Sequence, residues 1–142
     1  VTESSARVGL FDGRIFLSTR VDLTLGGAGS KVIIDLKSGR IYSNHREDLR
    51  FYALVESLRS GQPPRRLATY SLESARADVE EVSEGVLQSA VRRVADGAQM
   101  IYELTRESRE PKLNPGAQCR WCPLKDNCET GKQFLERGFE DD

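Results

Sequence analysis

The 142-residue sequence predicts an α/β (α+β) domain, a mixed central sheet flanked by helices. Three observations lead there. Residues 14–25 and 31–37 are strand-like runs joined by Gly26-Gly27-Ala28-Gly29-Ser30, a link that suits only a turn. Residues 44–60 and 84–106 repeat apolar side chains at helical spacing. All three cysteines fall within ten residues near the C-terminus, a density that core packing does not explain.

Each element follows in chain order. In the first strand Ile15, Leu17, Val21, Leu23 and Leu25 share one face, and Ser18, Arg20, Asp22 and Thr24 the other. In the second, Val32, Ile34 and Leu36 point one way while Asp35 and Lys37 point the other. The helix over 44–60 opens on a capping box, Asn44 with Glu47, and carries an apolar stripe of Phe51, Leu54, Val55 and Leu58. Gly61-Gln62-Pro63-Pro64 ends it. Residues 66–72 read as a strand and 78–82 as an edge strand, with a polar turn around Ser74-Ala75-Arg76 between them. The helix over 84–106 buries Leu87, Val91, Val94, Ala98 and Ile101, and residues 111–115 lead as an extended connector into the cysteine segment. Trp121 is expected to pack against that long helix, and the acidic tail Glu140-Asp141-Asp142 to be disordered. Residues 1–110 are read as the core, with 111–142 a C-terminal cysteine segment packing on the same domain.

If the two strands share one core, the hairpin brings Asp22, Asp35 and Lys37 to one side of the sheet. Two close carboxylates repel unless one is protonated or a cation lies between them. Oxygen ligands favour Mg²⁺ or Mn²⁺, and a lysine alongside can orient water or stabilise charge developing on a phosphate. Asp48 and Tyr52, four residues apart, share a face of the following helix.

Asp22, followed thirteen residues later by Asp35-Leu36-Lys37-Ser38-Gly39, resembles the core motif of the PD-(D/E)XK nucleases, restriction-endonuclease-like enzymes, in the RecB-like branch that includes AddB and the CRISPR adaptation nucleases. The resemblance implies metal-dependent hydrolysis of DNA, with Asp22 and Asp35 as Mg²⁺ or Mn²⁺ ligands and Lys37 completing the site. Members place Gln-x-x-x-Tyr on the next helix; here Tyr52 matches and Asp48 replaces the Gln. They also carry Gly three residues before the first Asp, where this chain has Thr19. A leading helix is expected upstream, so the sequence reads as the C-terminal piece of a longer protein. DNA repair or recombination, exonuclease action and a helicase partner are implied by the same branch. The rival reading is a non-catalytic, DNA-holding or helicase-partner subunit.

Cys119, Cys122 and Cys128 read C-x2-C-x5-C, one ligand short of a four-thiolate site. The sole histidine, His45, lies beside the Tyr52 helix and is a poor fourth ligand. The iron–sulfur members of the family supply that ligand from a cysteine upstream of the core, which implies a [4Fe–4S] cluster in the complete protein. Zinc in an interaction domain is the alternative. No signal peptide or long apolar run is visible, so a reducing, cytoplasmic setting without membrane contact is expected. The net charge of −1 hides an asymmetry: residues 1–66 sum to +4 and 67–142 to −5. Arg40, Arg46 and Arg50 in the positive half are the candidates for DNA phosphates. One histidine leaves little room for histidine-based catalysis, and no glycine-rich phosphate loop precedes a helix.

Overall fold

A computed structural model describes residues 2–137, so the acidic tail lies outside the described residues. Five strands and three helices run in the order β1 (Thr2–Leu10), β2 (Ile15–Leu25), β3 (Val32–Lys37), α1 (Ser43–Ser60), β4 (Arg66–Ser71), β5 (Arg76–Glu81), α2 (Glu84–Arg106) and α3 (Glu129–Glu136). The strands form one mixed sheet in the order β1-β2-β3-β4-β5, antiparallel except for the parallel β3–β4 pair that α1 connects. The chain divides into two compact units, residues 1–99 and 100–142, each described by itself.

β1 is absent from the sequence reading. Its apolar content is low, and the signal that announces it is the turn: Asp12-Gly13 sits where Phe11, Asp12 and Gly13 all take positive φ, closing a hairpin with β2. The β2–β3 hairpin forms as expected, with Leu23 opposite Ile34 and Leu25 opposite Val32.

The face assignments differ in a way that matters. Ile33 is 1% exposed and belongs to the core cluster with Val21, Leu49, Ala53 and Leu67, whereas Leu36 is 41% exposed. Asp35 and Lys37 therefore share a face with buried Ile33, beneath α1, and not with solvent. On β2 the buried set is Leu17, Thr19 and Val21, after which Asp22, Leu23 and Thr24 are all half-buried and Leu25 is exposed. The alternation slips by one residue there, since Val21 and Thr24 both reach the face that Ile33 occupies. Counting apolar letters could not find that slip.

On α1 the buried residues are Leu49, Ala53, Leu54, Val55 and Glu56, while Leu58 is half-exposed. The expected Asn44–Glu47 capping box does not form. The amide of Tyr42 donates to His45 Nδ1 at 3.2 Å, and Glu47 turns to Arg50 at 2.8 Å. Gly61, at φ 73°, closes the helix in the left-handed conformation. Along α2, Ala90 is buried and Val86 and Leu87 pack against the core, while Val91 and Ile101 are exposed.

Polar side chains tie α1 to the sheet. Arg46 holds Asp78 of β5 through two bonds of 2.7 and 2.8 Å, and Arg50 holds Glu80 at 2.5 and 2.9 Å. At the other end Glu56 accepts from Lys31, at the start of β3, and from Arg59 at 2.9 to 3.1 Å. Burial pushes the Glu56 carboxyl up, but the Lys31 ammonium and Arg59 guanidinium outweigh it and hold it below the ordinary range.

A depressed carboxyl stabilises the fold above its unfolded pKa and loses that contribution as pH falls through the folded value. Glu56→Gln is therefore expected to cost about 2 kcal/mol at pH 7 in urea unfolding, with Lys31 left unpaired. The difference from the parent should shrink below about pH 4, where the parent's own carboxylate protonates. A difference that stays constant down to pH 3 would remove this network from the acid response.

Candidate active site

β2 is longer than its pairing with β3, and the site forms where the two part. The ladder ends at Leu23 opposite Ile34, so Asp22 and Asp35 are the next residues beyond it on the two strands. In place of a ladder carbonyl, the Asp22 carboxylate accepts the Leu36 amide at 2.9 Å. Glu3, on the far side of β2 between the paired residues Thr2 and Ser4, takes φ 45°, so the backbone is irregular on both sides of Asp22.

From β3, Asp35 and Lys37 project together and pair at 2.9 Å. Beside them on β4 stand Thr69 and Ser71, 2% and 1% exposed, whose short side chains leave the carboxylate and ammonium room under α1. The hydrogen bond from Lys37 to Asp35 raises the lysine pKa against the lowering effect of burial, and the charge of Asp48 adds to the rise. Lys37 is thus firmly cationic at neutral pH.

α1 supplies the lid of the cluster. Tyr52 packs partly buried against the core, and its phenol is pushed up first by burial and then by the charges of Asp35, Asp48 and Asp22. Asp22 thus sits on the amide of Leu36, which lies between the paired Asp35 and Lys37 in sequence, and the charges of Asp35, Asp48, Lys37 and Asp22 all act on the Tyr52 phenol. The three arginines do not join this cluster in the same way. Arg46 and Arg50 are committed to β5 carboxylates, and Arg40 is exposed in the β3–α1 connection.

The donor set suits a hard cation. Asp22 and Asp35 each engage one neighbour and retain oxygen lone pairs, the ligand chemistry of Mg²⁺ or Mn²⁺. Among the described residues no three His, Cys, Asp or Glu side chains converge as a metal-holding group. An ion on this pair would complete its shell with water and phosphate oxygens, which is the habit of Mg²⁺.

In the second unit the cysteine segment folds around two short 3₁₀ turns, residues 117–121 and 125–127, ahead of α3. The amide of Gly116 donates to Cys119 Sγ at 3.5 Å, and that of Gly131 to Cys128 Sγ at 3.4 Å. A Cβ on Gly131 would lie 3.4 Å from Cys128 Sγ and 3.6 Å from Cys119 Sγ, so these two sulfurs converge on one buried glycine. All three cysteines are unbridged and half-buried. Trp121, expected to pack on the long helix, is 78% exposed. Among the described residues no helix is long and apolar enough to cross a membrane.

Comparison with known proteins agrees with the fold. The candidate exonuclease of Eubacterium rectale superposes with a TM-score of 0.59 at 14% identity over 94% of this chain and 51% of its own. The protein SSO0001 superposes with a TM-score of 0.52 at 16% identity over 91% of this chain and 59% of its own. The chain thus spans little more than half of either structure, and at these identities the likeness is one of fold. No curated protein matches the sequence. The family model of the PD-(D/E)XK nuclease superfamily matches residues 1–129, which include the hairpin, the Asp35–Lys37 pair and Tyr52. The chain belongs to the PD-(D/E)XK nuclease superfamily.

Proposed function

We propose that the protein is a Mg²⁺- or Mn²⁺-dependent deoxyribonuclease of the RecB-like branch, acting in the cytoplasm in repair, recombination or a related DNA-processing pathway, beside a helicase domain or subunit. One observation carries the reading: where β2 and β3 part, the Asp22 carboxylate accepts the Leu36 amide at 2.9 Å, and the residues on either side of Leu36, Asp35 and Lys37, pair at 2.9 Å. A charged hairpin without a task has no reason to place two acids and a lysine under a helix, where desolvation is costly.

Asp22 and Asp35 would hold the ion. When bound, it polarises the phosphate and makes a hydroxide accessible from water near neutral pH. In hydrolysis the water oxygen joins phosphorus, the bridging ester bond breaks, and the departing oxygen takes a proton. Lys37, kept cationic by Asp35, is unsuited to accept the proton of the attacking water and is placed to offset charge on the phosphate oxygens. Tyr52 braces the site from α1 or touches DNA with its phenol. Arg40 is the arginine proposed for a backbone phosphate; at Arg46 and Arg50 a phosphate would compete with Asp78 and Glu80.

For Cys119, Cys122 and Cys128 we propose a [4Fe–4S] cluster completed by a ligand outside this sequence. The support is the convergence of two sulfurs on Gly131 and the amide bonds each receives, since hydrogen bonds to sulfur are among the groups that tune such clusters.

Cleavage of labelled DNA is expected only with Mg²⁺ or Mn²⁺, and Asp35→Ala or Lys37→Ala should each lower the rate by about a hundredfold or more while leaving the circular dichroism spectrum unchanged. Undiminished cutting by Asp35→Ala sinks the assignment.

Mn²⁺ at millimolar concentration should raise the parent's Tm, because a ligand of the folded state stabilises it by mass action. Asp22→Asn should melt at or slightly above the parent without metal, since one of the two charges beyond the ladder is gone and an amide oxygen can still accept from Leu36. It should also lose most of the Mn²⁺ shift. A parent Tm indifferent to Mn²⁺ would move the reading to a non-catalytic DNA-holding subunit. Anaerobically prepared protein that includes the upstream ligand should contain about four irons per chain. Stoichiometric zinc without iron would favour an interaction domain.

A further inference from the structure

Gly131 is the only glycine of α3, and it is buried. Glycine inside a helix costs stability relative to alanine, and it is kept where the backbone needs positive φ or where another group comes too close for a Cβ. Neither holds at this position. Gly131 does not take positive φ, and a Cβ built on it would meet nothing nearer than 3.4 Å, an ordinary van der Waals distance. The fold as it stands would accept a methyl group here.

What the glycine leaves open is specific. The three atoms nearest to the missing Cβ all belong to cysteines: Cys128 Sγ at 3.4 Å, Cys119 Sγ at 3.6 Å and Cys128 Cβ at 3.7 Å. The free space is therefore bordered by the first and last sulfurs of the C-x2-C-x5-C run, which the 3₁₀ turn over 117–121 and the start of α3 bring together. Each of these sulfurs also accepts a peptide amide from a glycine, Gly116 to Cys119 at 3.5 Å and Gly131 to Cys128 at 3.4 Å, and neither is bridged. Among the described residues no three His, Cys, Asp or Glu side chains lie close enough to share one ion, a spacing that favours a core of several metal atoms over a single zinc.

We propose that Gly131 is a steric determinant of the cysteine site: without a Cβ it keeps open the space in which an iron–sulfur core meets Cys119 and Cys128, while its amide steadies the Cys128 sulfur. The inference rests on the cluster reading and assigns a positioning residue that lies outside the three-cysteine motif. A methyl at this position crowds both sulfurs from the side on which they border the same space, so it is compatible with the metal-free fold and incompatible with the loaded one.

The test compares the 142-residue chain with Gly131→Ala, each reconstituted without oxygen from sulfide and equal amounts of Fe²⁺ and Fe³⁺, with excess 2-mercaptoethanol to supply the fourth thiolate. That mixture already has the oxidation level of a [4Fe–4S]²⁺ core, so no further oxidant is needed. Before reconstitution Gly131→Ala should melt at or above the parent, because alanine favours the helix and its methyl makes ordinary contacts. After it, the parent should hold about four irons per chain and the variant about one or fewer, with the visible absorbance of the cluster falling in proportion. Gly97→Ala in α2, where a Cβ meets nothing within 4 Å, controls for helix propensity and should keep the parent's iron. Equal iron in Gly131→Ala and the parent overturns the proposal. A metal-free Tm clearly below the parent's also overturns it, since the glycine would then serve the packing of the fold itself. A parent that takes up no iron overturns the cluster reading, and this inference with it.

Discussion

The bond from the Leu36 amide to the Asp22 carboxylate fixes where the sheet divides, and most of the first unit is arranged around that division. An amide at the end of a ladder needs an acceptor, and leaving it buried and unpaired costs free energy comparable to a lost hydrogen bond. Asp22 supplies the acceptor from its side chain, so β2 can leave β3 without stranding a donor. The parting produces two results at once. It leaves Asp22 and Asp35 just beyond the ladder, and it coincides with the slip in β2 alternation that returns Thr24 to the α1 face.

α1 converts this backbone feature into a defined site. Its ion pairs are distributed along the helix, Arg46 and Arg50 toward β5 and Glu56 toward Lys31, so both ends are anchored to the sheet on either side of Tyr52. Isolated surface ion pairs contribute little, but a bidentate arginine–carboxylate contact specifies orientation as well as energy. Apolar packing of Leu49, Ala53 and Val55 supplies the burial, and the charged contacts hold the helix on the sheet with Asp48 and Tyr52 on the side whose charges act on Lys37.

Much of this was legible in the sequence because it rests on order and spacing. The hairpin, both long helices, β4 and β5 follow from periodicity and a glycine-rich turn, and the Asp35–Lys37 pair from their spacing on one strand. What could not be read depends on tertiary context. β1 is too polar to signal itself, and only Asp12-Gly13 hints at it. Ile33, in preference to its apolar neighbours Val32, Ile34 and Leu36, is the residue buried under α1, because the helix covers one face and three apolar letters on the other cannot reveal that. The cap at Tyr42 uses His45, a residue with no strong capping reputation, so the Asn44–Glu47 pattern misleads. The commitment of the arginines is likewise invisible until β5 is laid beside β4.

That last pairing reshapes the electrostatic character of the molecule. The sequence divides into a positive first half and a negative second half, which suggests a dipolar particle that draws polyanions from a distance. Folding lays Asp78 and Glu80 of the acidic half directly against Arg46 and Arg50 of the basic half, so much of the separation is neutralised internally over a few ångströms. Fields from such close pairs decay quickly and are screened further by salt. A polyanion approaching these paired side chains would meet little long-range attraction, so its rate of encounter would be unsteered and any discrimination would come after contact.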